Sequence, residues 1–101
     1  MIMLSSEEQA TLRAILNNYV SDQHYKVVVF GSRATGKARK YSDIDLALIG
    51  DTAVPPEVSA DLSETFENST LPYTVDIIDF TKASGAFRNE IKKEGVELVL
   101  L

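Results

Sequence analysis

Cysteine and tryptophan are absent from this chain, and histidine occurs once, at His24. Without cysteine there is neither a disulfide to staple the fold nor a thiolate to hold zinc, which is compatible with a reducing, cytoplasmic setting. A lone histidine also argues against the metal sites of zinc hydrolases. No apolar run approaches the roughly 20 residues of a membrane span. Glu7 and Glu8, close behind Met1, break any signal-peptide pattern, so the expectation is a soluble, cytoplasmic protein without membrane attachment. Basic residues are outnumbered, and the net charge of −5 argues against nucleic acid as a partner, since that function calls for a basic surface. A length of 101 residues suffices for one domain spanning the whole chain, with a single apolar core, and leaves no room for a second.

The basic residues that are present are unevenly placed. Arg33, Lys37, Arg39 and Lys40 account for four of the ten and follow directly on the pair Gly31-Ser32. A solvated loop explains such a cluster as readily as an anion site does. Upstream, Ser5 with Glu8 forms a capping-box signature, and Leu12, Ile15, Leu16, Tyr19 and Val20 recur at helical spacing, predicting an amphipathic helix that ends near Ser21-Asp22. The β-branched run Lys26 to Phe30 predicts a buried strand, followed by a compact loop with a turn of helix around Gly36 to Lys40. From Asp43 to Gly50 the side chains alternate, so Asp43, Asp45 and Ala47 share one face while Ile44, Leu46 and Leu48 share the other. Pro55-Pro56 suits a helix start, and Val58, Leu62 and Phe66 form one stripe of a helix ending near Asn68. A third alternating run, Tyr73 to Phe80, precedes a last helix marked by Phe87 and Ile91. Gly95 is expected to terminate that helix in a left-handed conformation, before an apolar tail, Val96 to Leu101, able to add a short strand.

Two groups in the middle of the chain carry chemistry. Glycine lets the backbone approach a phosphate closely, so Gly31 with the Ser32 hydroxyl suits an anion turn at the end of the first strand. Carboxylates two apart on a strand point the same way, which lets Asp43 and Asp45 share one or two Mg²⁺ ions that also bind substrate phosphate. Ordinary loop hydrogen bonding accounts for a Ser-Asp pair at a strand entry, but not for Asp45, a charge inside the strand. Of two further carboxylates, Asp79 continues the Tyr73-Val75-Ile77 face and is expected to turn outward at the strand end. Asp76 lies mid-strand on the opposite face, where it joins Asp43 and Asp45 if the two strands are neighbours with their cores aligned.

A rival account of the glycines is a P-loop, since Gly31 to Ala38 reads G-S-R-A-T-G-K-A. Ala38 stands where the Mg²⁺-binding hydroxyl belongs, the next strand follows too soon for a full helix, and the P-loop fold needs a longer chain.

Taken together, Gly31-Ser32, Asp43-x-Asp45 and Asp76, within the wording F-G-S-R-A-T-G-K-A-R-K-Y-S-D-I-D-L-A-L, resemble the minimal nucleotidyltransferases of the DNA polymerase β superfamily, the MNT type. The resemblance spans most of the chain and is most specific from Val27 to Leu48. It implies an α+β fold, a two-layer arrangement of a small mixed sheet backed by helices, in agreement with the order of elements above. It implies transfer of a nucleoside monophosphate, commonly AMP from ATP, to an acceptor hydroxyl with release of pyrophosphate. Gly31 and Ser32 would then hold the triphosphate, Asp43 and Asp45 would ligate Mg²⁺, and Asp76 would complete the metal site and help deprotonate the acceptor. Arg33 is the best side-chain candidate for a phosphate contact, with Lys37, Arg39 and Lys40 behind it. Ser42 is expected to cap its turn, and His24 and the tyrosines receive no role.

Larger relatives carry a second helical domain that holds base or acceptor, and this chain has none. The resemblance therefore implies a separate helical partner of the HEPN type, with this chain as the antitoxin that adds AMP to its toxin. Two other functions stay open: a binding module that neutralises its partner by complex formation alone, and a transferase acting on a small molecule or RNA. Nucleotide preference, acceptor and assembly into an oligomer are also open at this point.

Overall fold

In the computed structural model, residues 2–20 and 25–100 are described. The capping box predicted at the first helix is formed: the Ser5 hydroxyl accepts from the Glu8 N–H at 3.1 Å, and the Glu8 carboxylate accepts from the Ser5 N–H at 2.9 Å. Helix α1 runs over Ser6–Asn17 and turns Leu12 and Leu16 into the core. It stops short of the predicted end near Ser21-Asp22, which lies outside the described residues. Val20 is still buried, although it lies beyond the helix, so its packing had imitated helical spacing.

Strand β1 (Lys26–Phe30) follows, then a single turn of helix, α2 (Ser32–Thr35), and strand β2 (Ile44–Ile49). The turn of helix expected around Gly36 to Lys40 is thus displaced onto Ser32–Thr35. Gly36, at φ 82°, ends α2 in the left-handed region instead of opening a helix. Helix α3 (Pro56–Glu67), with Pro at its start and Asn68 as its C-cap, links β2 to strand β3 (Val75–Asp79). A 3-10 turn (Phe80–Lys82), helix α4 (Gly85–Glu94) and the two-residue strand β4 (Val96–Glu97) complete the chain.

Among the described residues the sheet has four strands in the order β3-β2-β1-β4. β1 runs antiparallel to both neighbours, whereas β2 and β3 are parallel, a pairing that requires a crossover and receives it from α3. One face, carrying Val27, Val29, Ile44, Leu46 and Leu48, packs against Leu12 and Leu16 of α1 and Leu62 and Phe66 of α3. The other face carries Val28, Phe30 and Ala47 and is covered by Phe80 and by Ile91 of α4. The sheet is therefore helix-backed as expected, with α4 closing part of the second face.

Gly95 departs from expectation. Its φ of −69° and ψ of 146° are extended, not left-handed. What the position needs is the absence of a side chain, because a Cβ there would run into the Val28 side chain and the Ile91 carbonyl. The chain passes so close to β1 because β4 must pair with it at once, and the Leu98 N–H then donates to the Val27 carbonyl at 2.9 Å.

Candidate active site

The register of the sheet assembles the site. Phe30, the last residue of β1, pairs with Asp45, and Asp45 in turn pairs with Asp76 across the parallel β2–β3 ladder. Residues paired in this way share a face. Asp45 and Asp76 therefore stand side by side on the face opposite the main core, with Asp43 two residues upstream at the entry to β2. Asp43 and Asp76 are exposed and Asp45 is half-buried. Burial, then the charge of Asp76, then that of Asp43, push the Asp45 carboxyl above the ordinary aspartate range. Burial and like charge both disfavour the ionised form of Asp45.

Gly31 leaves the end of β1 with φ 71° and ψ −153°, a conformation that L side chains rarely adopt. A Cβ at this position would also collide with a carboxylate oxygen of Asp45. The glycine thus serves two ends: it turns the chain into α2, and it lets the Asp45 carboxylate lie against bare backbone. Ser32 is the first residue of α2, ahead of the first bonds of that turn, which run from the Ala34 and Thr35 N–H groups to the Gly31 carbonyl at 3.1 Å each. Turn and carboxylates therefore meet at one end of the sheet.

Arg33 behaves otherwise than expected. Its side chain is 5% exposed, and its guanidinium donates from Nε and Nη2 to the Ser42 carbonyl at 3.0 and 2.9 Å and from Nη1 to the Met3 carbonyl at 2.8 Å. It also stacks on the Tyr73 ring, 3.9 Å from guanidinium carbon to ring centroid. A cation so engaged is not free to reach a phosphate. It fixes instead the residue immediately before Asp43 relative to the turn that follows Gly31. The Tyr73 hydroxyl bonds Glu8, whose carboxyl is held below its usual range by the Ser5 backbone N–H first, with Tyr73, the Ser5 hydroxyl and the Arg33 charge acting in the same direction. Tyr73, which had no assigned role, is thus part of the support, and an aromatic placed just ahead of β3 was the only hint of it in the sequence.

Ser42 caps its turn as expected, accepting from the Arg39 N–H at 2.8 Å. Lys37, Arg39 and Lys40 are exposed on the loop between α2 and β2. Asp79 does not turn outward: its carboxylate accepts from the Val54 N–H at 2.9 Å and from the backbone and hydroxyl of Thr81 at 3.0 and 2.7 Å. It is a structural cap on the face opposite Asp76, and of the two it is Asp76 that stands beside Asp45. His24 lies outside the described residues.

Asp43, Asp45 and Asp76 are the residues that could hold a divalent cation. Among the described residues no three or more such side chains are placed to hold a metal ion by themselves. An all-protein cage is not what Mg²⁺ chemistry requires, because that ion keeps several waters and takes one or two carboxylates together with substrate phosphate oxygens. Hard oxygen donors side by side on one face and adjacent to an anion turn fit such an ion.

Comparison with known proteins agrees with this geometry. The model of the family described as polymerase beta, nucleotidyltransferase, matches residues 10–100. The chain is 43% identical over 90 residues to the probable protein adenylyltransferase MntA of Haemophilus influenzae, covering 89% of this chain and 77% of that protein. A chain of a toxin-antitoxin crystal structure with AMP-PNP superposes at a TM-score of 0.73 and 21% identity, over 96% of this chain and 75% of that one. A chain of the complex between a tri-AMPylated HEPN toxin and an MNT antitoxin of Shewanella oneidensis gives 0.70 at 19% identity, over 97% and 74%. At these identities the two solved structures speak for the fold.

Proposed function

Because this chain belongs to the polymerase beta nucleotidyltransferase family, we propose that it is a protein adenylyltransferase. It transfers AMP from ATP to a hydroxyl of a helical HEPN-type partner, and so acts as the antitoxin of a toxin-antitoxin pair. The observation that carries this reading is the pairing of Asp45 with Asp76 beside the turn at Gly31. Gly31 and Ser32 offer close backbone and a hydroxyl to the triphosphate. Asp43, Asp45 and Asp76 are the residues that would hold Mg²⁺, which when bound neutralises developing charge and aligns the attacking and leaving oxygens. The acceptor oxygen forms a bond to the α-phosphorus, the bond to the β-phosphate oxygen breaks, and pyrophosphate leaves. In this reading Asp76, exposed at the rim, receives the acceptor's proton. No helix among the described residues is long and apolar enough to cross a membrane. A chain that needs no disulfide and consumes ATP suits the cytoplasm.

The test is transfer itself. Incubation with α-labelled ATP, Mg²⁺ and a helical HEPN-type protein from the same organism should label that protein. Asp43→Asn combined with Asp45→Asn removes several kcal/mol of charge stabilisation, so labelling should fall by about 100-fold or more. Labelling that persists in the double variant refutes the assignment of these carboxylates. Neutralisation that survives without any labelling would leave complex formation as the whole function.

A further inference from the structure

Charge is segregated on this molecule. Residues 31–42 hold four of its ten basic side chains and no acidic one, on a chain of net charge −5. Arg33 is buried, but Lys37, Arg39 and Lys40 project into solvent, and Tyr41 beside them is 71% exposed, the most exposed of the large apolar side chains among the described residues. Arg39 and Lys40 also form the rim of a groove whose floor is made by Met3, Leu4, Ala38 and Tyr73. The groove is held open by backbone and guanidinium bonds. The Met3 N–H donates to the Arg33 carbonyl at 2.7 Å, the Arg33 side chain returns to the Met3 carbonyl, and Ser42 ties down Arg39 through both its hydroxyl and its N–H. Its one acidic lining residue, Glu8, is already engaged by Ser5 and Tyr73.

We propose that this groove, with its cationic rim and Tyr41, seats an acidic, apolar-anchored segment of the acceptor protein and so delivers the acceptor hydroxyl to the carboxylates. The inference rests on the adenylyltransferase reading and adds the chemistry of the acceptor to it. Three features favour a protein segment. The floor is apolar, which suits a side-chain anchor. The rim is opposite in sign to an acidic peptide, which it steers toward the groove. The groove also adjoins the site at two points, since Ser42 precedes Asp43 and Tyr73 lies just ahead of β3, which carries Asp76. Because Arg33 fixes both walls beforehand, little ordering remains to be done on docking.

Two variants test it, neither touching the phosphate turn or the carboxylates: Arg39→Glu with Lys40→Glu, which inverts the rim, and Ala38→Trp, which fills the floor. Affinity for the same HEPN-type protein is measured by calorimetry, and affinity for ATP is measured separately on the chain alone. Each variant should weaken protein binding by about tenfold or more, with ATP affinity within about twofold in Ala38→Trp, and the rim variant should flatten the salt dependence of association. Unchanged protein binding in both variants overturns the proposal. So does a loss confined to ATP, which would make the rim a triphosphate site. If wild-type chain binds the protein through the groove but never labels it, the docking surface stands and the transferase reading falls. If labelling proceeds equally in wild type and variants, the reverse holds.

Discussion

Asp45 is the residue at which folding and chemistry oppose each other. It lies against Gly31, is half-buried, and faces Asp76 and Asp43, so its proton is held more tightly in the folded chain than in the unfolded one. The sign follows: with a raised folded pKa, the ionised form costs stability, and that cost is relieved as pH falls through the raised value. Asp45→Asn should therefore stabilise the cation-free protein by up to about 1 kcal/mol after solvent screening, a gain of a few degrees in Tm, while abolishing transfer. Millimolar Mg²⁺ should raise the Tm of the wild type and leave the variant nearly unmoved. A calorimetric scan in which the variant melts lower without Mg²⁺ would contradict this account. Gly31, Asp43, Asp45 and Asp76 were all legible in the sequence, because turn chemistry and the period of a strand are local properties. Arg33 was not. Its motif position suggested phosphate, but what engages it are Met3, Ser42 and Tyr73, and no local pattern announces partners brought in from three separate segments.

The elements were read with more success at their starts than at their ends. Two helix starts are written in the sequence, Ser5 with Glu8 and Pro55-Pro56, whereas the Ser84 hydroxyl, which accepts from the Phe87 N–H at 3.1 Å, went unread. The end of α1, the placement of α2 and the geometry at Gly95 depend on what lies alongside, and these were the places where expectation and structure parted. Asp79 belongs here, since it joins the end of β3 to the loop before α3 and opens the 3-10 turn. Burial pushes its carboxyl up, but the hydrogen bonds from Thr81 and Val54 and the charge of Lys82 outweigh this, and the net pKa is lowered. A depressed pKa contributes stability above the ordinary aspartate value of 3.8 that is lost as pH falls through the folded value. Asp79→Ala should cost about 1–2 kcal/mol at neutral pH and make the acid limb of a Tm-against-pH curve shallower. A variant curve parallel to the wild type all the way down would show that the cap contributes nothing through its charge.

At the scale of the whole molecule the sheet is buried unevenly. β1 is enclosed on both faces, by the main core and by the cluster around Phe30, Ala47 and Ile91, whereas the carboxylates occupy the open end of the second face. A small domain has only about 5–15 kcal/mol of net stability, so its core bears heavily on function even far from the site. Leu98, 1% exposed, closes the main core from the far end of the chain. Leu98→Ala should cost about 2–5 kcal/mol, lower the denaturation midpoint, and leave the rate of AMP transfer per folded molecule within about twofold of wild type. A large fall in that rate at full folding would mean that the cluster positions the site and does more than support it.

The pairing of β1 with β4 also has a consequence in time. A ribosome makes every residue of the proposed site by Asp76, yet one edge of β1 has no partner until residues 96–98 have emerged. Until then the nascent chain exposes an apolar strand edge, the kind of surface that invites association with other chains. Catalysis by the proposed site would therefore begin only once residues 96–98 have left the ribosome, and a ribosome stalled between Asp76 and that point would present chemistry without a fold to hold it.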